Sequence, residues 1–365
     1  MRLEKLLEVL EARGLQDLLV TSPDNVEYYT GVESIADATL LLHVSRDGGI
    51  RLYTPLLEYY RYRSLLPESV EVYALSRSLK PSDARIAEKE LKEVVKEIVE
   101  SSSRIGVDGI RGPVAALTSV PLGERVVDVS EDLWRQRMIK DSEEIKAIKR
   151  AVEITIKGVR TLLDNISEGV SETELAGFFE ERVRREGVKK YAFEPIIAFK
   201  PNNSYPHTLP GSLRLGRRDL ILVDVGVKYN GRCSDLTRMI VHGRPSPEEK
   251  RSLEAVEEAL WEAVDYIQPG VKAGEVAEVA SRVLEKHGLR DKFIHGLGHG
   301  IGVVVHEPPY LREGSTTVLE PGMVFTVEPG VYFNGRYGVR MEENVVVTKK
   351  GARVLSGRLK PLLVA

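Results

Sequence analysis

VDVGVKYNGRCSD spans Val223–Asp235, and VEPGVYFNGRYGVRMEE spans Val327–Glu343. One phrase occurs twice, with Asp224 of the first copy answered by Glu328 of the second. Asn-Gly at the centre of each copy signals a tight turn, so each phrase reads as an antiparallel hairpin. What precedes each hairpin repeats as well. ISEGVSETELA (Ile166–Ala176) and IQPGVKAGEVA (Ile267–Ala277) share Ile, Gly-Val, Glu and Ala at matching places. The helix expected from Asp141 carries Ile145, Ile148, Val152, Val159 and Leu163 on one face, and Ser171 with Glu174 forms a capping box for the next. Ser246-Pro247-Glu248-Glu249 opens the corresponding helix of the second half, again with a capping box and with proline in its first turn. A unit of helix, helix and hairpin therefore occurs twice. Two such units would stack their hairpins into an antiparallel sheet, covered by helices on one face and related by a pseudo-twofold.

Pairing the first copy about Asn230-Gly231 sets Tyr229 against Arg232, Asp224 against Thr237 and Gly226 against Asp235. Asp224 and Asp235 then become diagonal neighbours on one face, with Cβ atoms roughly 7 Å apart. The glycine opposite Asp235 leaves space for something other than a side chain. The strand LILVDVGV (Leu220–Val227) is apolar on both faces apart from Asp224, which places these acids inside the protein. Buried carboxylates without partners repel one another and are poorly solvated, so they call for cations. In the second copy the same count about Asn334-Gly335 sets Glu328 against Met341, which leaves Glu342 one residue out of register. Register alone selects Glu343; a bulge near Gly338 or a longer turn would bring Glu342 into the site.

Between the copies lies FIHGLGHGIGVVVHEPPY (Phe293–Tyr310), with His295, His299 and His306 among the seven histidines of the chain. Its alternating glycines do not match the dinucleotide-binding pattern and suit a backbone that passes close to another surface. Three histidines in a glycine-rich loop between two acid-bearing hairpins point to ligation or catalysis. The expected ligand set is Asp224, Asp235, His299, Glu328 and Glu342, with Glu342 preferred to Glu343 on the resemblance given below. Four carboxylates would balance two divalent cations, and oxygen-rich ligation with one imidazole suits Mn²⁺, Co²⁺, Fe²⁺ or Zn²⁺. Two such ions activate water and polarise a carbonyl, which is the equipment of a hydrolase. Cys233 reads as a small buried thiol.

The rest of the composition narrows the setting. A chain of 365 residues has room for two domains, read here as an α/β domain over residues 1–130 and a catalytic domain over residues 131–365. RLEKLLEVLEARG (Arg2–Gly14) reads as an amphipathic helix and not as a signal peptide; DLLVTS, TLLLHVS and IRLYTP read as strands, and Asp83–Ser101 as a charged helix. A formal net charge of -3 with intermixed signs gives no nucleic-acid surface and no polybasic anchor. No apolar run is long enough to span a bilayer. With one cysteine no intrachain disulfide can form, which indicates a reducing, cytoplasmic setting.

VDVGVKYNGRCSDLTR, HGLGHGIGVVVHEPP, GMVFTVEPGVY and GVRMEEN resemble the signature segments of the pita-bread metallopeptidases, the group of Xaa-Pro dipeptidase (prolidase), Xaa-Pro aminopeptidase and methionine aminopeptidase. TSPDNVEYYTGV (Thr21–Val32) and RMIKDSEEIKAIKRA (Arg137–Ala151) are similar to the proline-peptidase branch, so the resemblance covers nearly the whole chain. It implies an α+β fold, a creatinase-like N-terminal α/β domain followed by a pita-bread domain, and two divalent ions held by Asp224, Asp235, His299, Glu328 and Glu342. It implies that Asp235 and Glu342 bridge both ions, that Asp224 serves one, and that His299 and Glu328 serve the other. It further implies that Glu328 shuttles a proton, that His207 and His306 orient substrate and stabilise the oxyanion, and that Tyr332 and Arg340 support the metal site. His295 matches a substrate-pocket histidine. The expected reaction is hydrolysis of Xaa-Pro dipeptides, small peptides with proline in second position. The alternatives are Xaa-Pro aminopeptidase on longer peptides, methionine aminopeptidase, and a metal-free binding homologue. The chain carries no C-terminal extension, which favours the dipeptidase, and a homodimer is implied by the family. In IIAFKPNNSYPH, Phe199 and Lys200 stand where the family more often has a small residue followed by glycine, and this bears on the shape of the pocket rim.

Overall fold

In the computed structural model of the chain, residues 2–35, 39–109, 125–357 and 359–365 are described. The chain divides into two units, Met1–Arg137 and Met138–Ala365. In the first, the helix Glu4–Arg13 stops where Gly14 turns left-handed at φ 60°. Asp17–Val20, Leu41–Ser45 and Ile50–Pro55 form the middle of a mixed sheet. Val70–Leu75 and Ile86–Ala87 extend it on one side, and Ile105–Val107 and Val126–Asp128 on the other. The charged helix is shorter than its composition suggests. It begins at Leu91, where Glu90 and Glu93 form a capping box, because Ile86–Ala87 is taken up as an edge strand against Ala74–Leu75.

The second unit carries the duplication. Helices Ser142–Leu163 and Glu172–Arg185 precede the first hairpin, and helices Pro247–Tyr266 and Ala273–Lys286 precede the second. The connectors repeat down to single hydrogen bonds. Gly169 N–H donates to the Leu215 carbonyl at 2.8 Å, and Leu215 N–H donates back to Val170 at 2.8 Å. In the other half Gly270 N–H donates to Leu319 at 2.9 Å, and Leu319 N–H donates back to Val271 at 2.8 Å. Both connector glycines have positive φ, 87° and 92°, which explains why Gly-Val recurs in the two phrases.

The strand Asp219–Val225 is apolar on both faces because a core lies on each side of it, whereas the duplicated units implied helices on one face of the sheet. Ile221, Val223 and Val225 pack with Ile154, Leu175 and Phe179 of the first helix pair. Leu220 and Leu222 belong to the core that contains Val256, Leu260 and Val276 of the second pair. The strands do not run as one uninterrupted ladder. The first hairpin lies in a four-stranded and a three-stranded piece, and the second in a five-stranded and a two-stranded piece. Leu362–Val364 joins the first group parallel to Met239–Val241.

The two turns differ by one residue. Around Asn230-Gly231 the pairing is as counted, with Tyr229 opposite Arg232 and Asp224 opposite Thr237. Around Asn334 the loop has three residues: Phe333 pairs with Tyr337, Gly330 with Arg340 and Val327 with Glu343. A longer turn, and not a bulge at Gly338, therefore shifts the register. Continuing that register sets Glu328 opposite Glu342, while Glu343 faces the other way.

The return strands of the two hairpins meet at a buried seam. Glu342 N–H donates to the Thr237 carbonyl at 3.2 Å. Arg238, fully buried, donates to the Glu342 carbonyl at 2.6 Å, to Glu343 Oε1 at 2.9 Å and to the Leu359 carbonyl at 2.9 Å. Removing one member of such a pair leaves the other charge uncompensated in the core. Arg238→Met is therefore expected to lower unfolding stability by about 3–5 kcal/mol. The joint replacement Arg238→Met with Glu343→Leu should recover a large part of that loss in a denaturant titration.

Candidate metal centre

Strand alternation and the shifted register turn Asp224, Asp235, Glu328 and Glu342 into one cavity of about 630 Å³. His299 reaches the same space from Gly298–Gly300, a short strand paired with Phe325 of the strand that leads to Glu328. Its glycine neighbours allow that approach. A Cβ on Gly298 would collide with the Thr326 carbonyl, and one on Gly300 with the Pro308 carbonyl. Oxygen and nitrogen atoms of Asp224, Asp235 and Glu342 lie within 4.8 Å of one another, as do those of His299, Glu328 and Glu342, and those of Asp235, His299 and His306. Asp235, His299 and Glu342 each belong to two of these groups.

Several of these atoms have no partner in the protein. Asp224 Oδ1 and Glu342 Oε1 are buried and accept no hydrogen bond. Their sister oxygens are held: Asp224 Oδ2 by Arg340 Nη2 at 2.5 Å, and Glu342 Oε2 by the Thr237 hydroxyl at 2.8 Å. His299 Nδ1 lies 3.2 Å from the Gly300 carbonyl, to which it donates, so Nε2 is the atom turned toward Glu328 Oε1 at 3.2 Å and Asp235 Oδ2 at 3.6 Å. One fixed oxygen, one free oxygen and an imidazole with its outer nitrogen anchored are what a cation needs from its ligands. The residues fit such an ion.

The electrostatics agree. Burial, then the charges of Glu342, Asp224 and Glu328, push the Asp235 carboxyl well above the usual carboxylate range. Burial, then Glu328 and Asp224, do the same to Glu342. Burial also acts to raise Glu328, but the hydrogen bond and charge of His299, with His295 and Arg340, outweigh it and hold Glu328 at about 2. Burial lowers His299, and the contact with Glu328 more than reverses this, so its value is raised.

The remaining predicted residues gather here too. His207, His295, His306 and Arg340 line the cavity with the acids. The His306 ring packs edge-on against His299, with ring centroids 4.2 Å apart. Tyr332 stands behind the wall and closes a relay. Arg340 Nη1 donates to the Tyr332 hydroxyl at 2.6 Å, and that hydroxyl lies 3.0 Å from His295 Nε2. His295 Nδ1 donates to the Gly296 carbonyl at 2.8 Å, so Nε2 is left to accept the tyrosine proton. Burial, the largest influence on His295, lowers its value and keeps the ring neutral for this role.

Two readings need correction. The missing side chain at Gly226 does not make room for an ion: a Cβ there would meet the Ser234 carbonyl and the Phe193 ring, so protein occupies the space. Phe199 and Lys200 do not shape the rim. Phe199 is fully buried in the first core, and Lys200 Nζ pairs with Glu249 Oε1 at 2.8 Å. Three supporting residues were missed. Thr237 holds Glu342, the Thr326 hydroxyl lies 3.3 Å from Glu328 Oε1, and the Asn344 amide grips the Asp235 backbone. Each lies two residues from an acid, in Asp-Leu-Thr, Thr-Val-Glu and Glu-Glu-Asn. Strand alternation puts such a pair on one face, so the signal was present.

A duplicated fold that turns four acids and an imidazole into one cavity suits a metal-dependent hydrolase. Residues 146–349 match Metallopeptidase family M24, and residues 2–139 match the Creatinase/Prolidase N-terminal domain. The chain belongs to family M24, a family of peptidases that use divalent metal. The Xaa-Pro dipeptidase of Pyrococcus furiosus is 32% identical over 370 residues, which cover 99% of this chain and 99% of that protein. The crystal structure of the prolidase from Pyrococcus horikoshii OT3 matches with a TM-score of 0.87 at 30% identity, over 99% of each chain. The X-Pro aminopeptidase of Thermotoga maritima MSB8 matches with a TM-score of 0.87 at 26% identity, over 100% of this chain and 99% of that one.

The charge pattern fixes a pH dependence. Asp235, Glu342 and His299 have folded values above their ordinary ones, so the ion-free folded protein binds protons that the unfolded chain releases, and its stability falls as pH rises. Glu328 works oppositely, but its contribution is complete above the ordinary glutamate value and is lost only toward pH 2. His295 and His306, whose values are lowered, also work oppositely, and their contribution is complete only above the ordinary histidine value. Chelated protein should therefore melt at progressively lower temperature from about pH 7 to 9, and a divalent cation, which displaces those protons, should remove the decline. Thermal melts with and without chelator across that range measure it.

Proposed function

We propose that the chain hydrolyses the bond between an N-terminal residue and proline, with Xaa-Pro dipeptides as the main substrates. The observation that carries this reading is the convergence of five ligand-type side chains, two acid oxygens among them unpartnered, in a family M24 chain whose relatives include Xaa-Pro dipeptidases. Asp224, Asp235, His299, Glu328 and Glu342 would hold two divalent ions, of Mn²⁺, Co²⁺, Fe²⁺ or Zn²⁺ type. When bound, the ions supply Lewis-acid activation of water and of the scissile carbonyl. Glu328 sits at the cavity wall as an ionised carboxylate, so it would take a proton from the attacking water and deliver that same proton to the leaving proline nitrogen. His306 stabilises the developing oxyanion, and burial, then the charges of His299 and His207, lower its value so that the neutral ring can donate a hydrogen bond. His207 and His295 orient the substrate, and Arg340 keeps Asp224 and Tyr332 in place.

An Xaa-Pro bond has no N–H, so recognition has to come from elsewhere on the peptide. Among the described residues two arginines line the cavity, Arg340 and Arg312. Arg340 is spent on Asp224 and Tyr332, whereas Arg312 is exposed at the wall and suits the carboxylate of a dipeptide. A homodimer, on the resemblance, and a cytoplasmic location, on the single cysteine, complete the reading. Among the described residues no helix is long and apolar enough to cross a membrane.

The test is an assay of Xaa-Pro against Xaa-Pro-Xaa peptides, before and after chelation and with Mn²⁺, Co²⁺ or Zn²⁺ restored. Asp235→Ala should lose bound metal and more than about a hundredfold in kcat/KM. Unchanged turnover and metal content would refute the ligand assignment. Arg312→Ala should raise KM for Xaa-Pro by roughly tenfold and leave the Xaa-Pro amide unaffected. Better cleavage of Xaa-Pro-Xaa than of Xaa-Pro would make the protein an aminopeptidase instead.

A further inference from the structure

Glu172 is a fully buried carboxylate that lies outside the cavity, and among the described residues it faces no cation. It opens the helix Glu172–Arg185, one position after the Ser171 cap. Its two oxygens instead accept from three nitrogen donors of one stretch of chain. Phe199 N–H donates to Oε1 at 2.8 Å, and Gly211 N–H donates to Oε2 at 2.9 Å. The Asn202 amide nitrogen lies 3.1 Å from each oxygen. One carboxylate thus fastens both ends of residues 199–211.

That stretch is the cavity wall bearing Pro206, His207, Thr208 and Leu209. Its middle is tied to the second hairpin: Gly338 N–H donates to Asn203 Oδ1 at 3.1 Å, and Gly335 N–H to the Ser204 hydroxyl at 3.1 Å. Arg340 Nη2 donates to the Pro206 carbonyl at 3.2 Å. His207, Thr208 and Leu209 therefore hang between a guanidinium at Pro206 and the Glu172 carboxylate at Gly211. Hydrogen bonds to an ionised group are about twice as strong as neutral ones, so both attachments are firm.

We propose that Glu172 is a positioning residue for the reaction, which sets the wall that carries His207 without touching substrate or metal. The proposal rests on the reading that His207 meets the peptide. Glutamine at this place keeps the shape but offers one acceptor oxygen and turns an NH₂ toward either Phe199 N–H or Gly211 N–H, donor against donor.

The experiment compares wild type, Glu172→Gln, His207→Ala and the double variant in their metal-loaded form. Glu172→Gln should retain the wild-type metal content and lose about tenfold or more in kcat/KM on Xaa-Pro. Added to His207→Ala, it should cost less than about twofold further, because the group it positions is already gone. Losses that multiply in the double variant, or an unaltered single variant, overturn the proposal. Amide hydrogen exchange gives a readout free of substrate: residues 199–211 should exchange faster in Glu172→Gln while residues 219–225 keep their protection, and an unchanged 199–211 overturns the idea. If wild type cleaves no Xaa-Pro peptide, the functional reading falls and the exchange measurement still decides the positioning role. Should Glu172→Gln fail to fold, Asn202→Ala, which removes the side-chain donor and leaves both backbone donors, must show the same coupling to His207, reduced in size.

Discussion

Everything in the catalytic cavity depends on the seam between two return strands, where Thr237 and Arg238 of one hairpin take hold of Glu342 and Glu343 of the other. The contact is short, charged and wholly out of water. It joins residues more than a hundred positions apart in sequence, and without it the acids of each half would line separate faces. Buried ion pairs contribute little net stability compared with apolar contacts of the same size, yet they tolerate few alternative pairings. Here the alternative is a slip that would exchange Glu342 for Glu343. Arg238 opposes that slip, because it accepts Glu343 as its counter-ion and only the carbonyl of Glu342.

The cavity itself is an arrangement under electrostatic tension. Two of its carboxyls are driven upward and one is driven down to about 2 by the same crowding, according to whether its nearest neighbour is another acid or His299. Among the described residues no lysine lines the cavity. Arg340, the buried guanidinium in its wall, is divided between Asp224, Tyr332 and the Pro206 carbonyl, and leaves the other acids to be neutralised from outside. Folding thus prepares a demand for metal instead of meeting it internally.

Much of this was legible in the chain. The repeated connector and hairpin phrases gave the duplication, and counting from Asn230-Gly231 gave the register of Asp224 against Thr237. Counting could not settle the second hairpin, because Asn334-Gly335 looks like the same two-residue turn while the chain also uses Arg336 in the loop. Turn length depends on how the flanking strands are gripped elsewhere, here by the seam, and that information is not local. Tyr332 and Arg340 were assigned from resemblance alone, since as strand residues they carry no pattern. Thr237, Thr326 and Asn344 could have been found by looking two residues from each acid. Glu172 could not: its partners lie 27 to 39 residues away in a stretch with no regular pattern.

One extra residue in a loop has a further effect. The first hairpin closes through two residues and offers its acids on a diagonal; the second closes through three and offers its acids face to face. A strict duplication would have produced a cavity with interchangeable ends, in which a peptide could lie in either direction. The added loop residue, together with His299 and His306 from the segment between the hairpins, breaks that equivalence and gives the cavity a head and a tail.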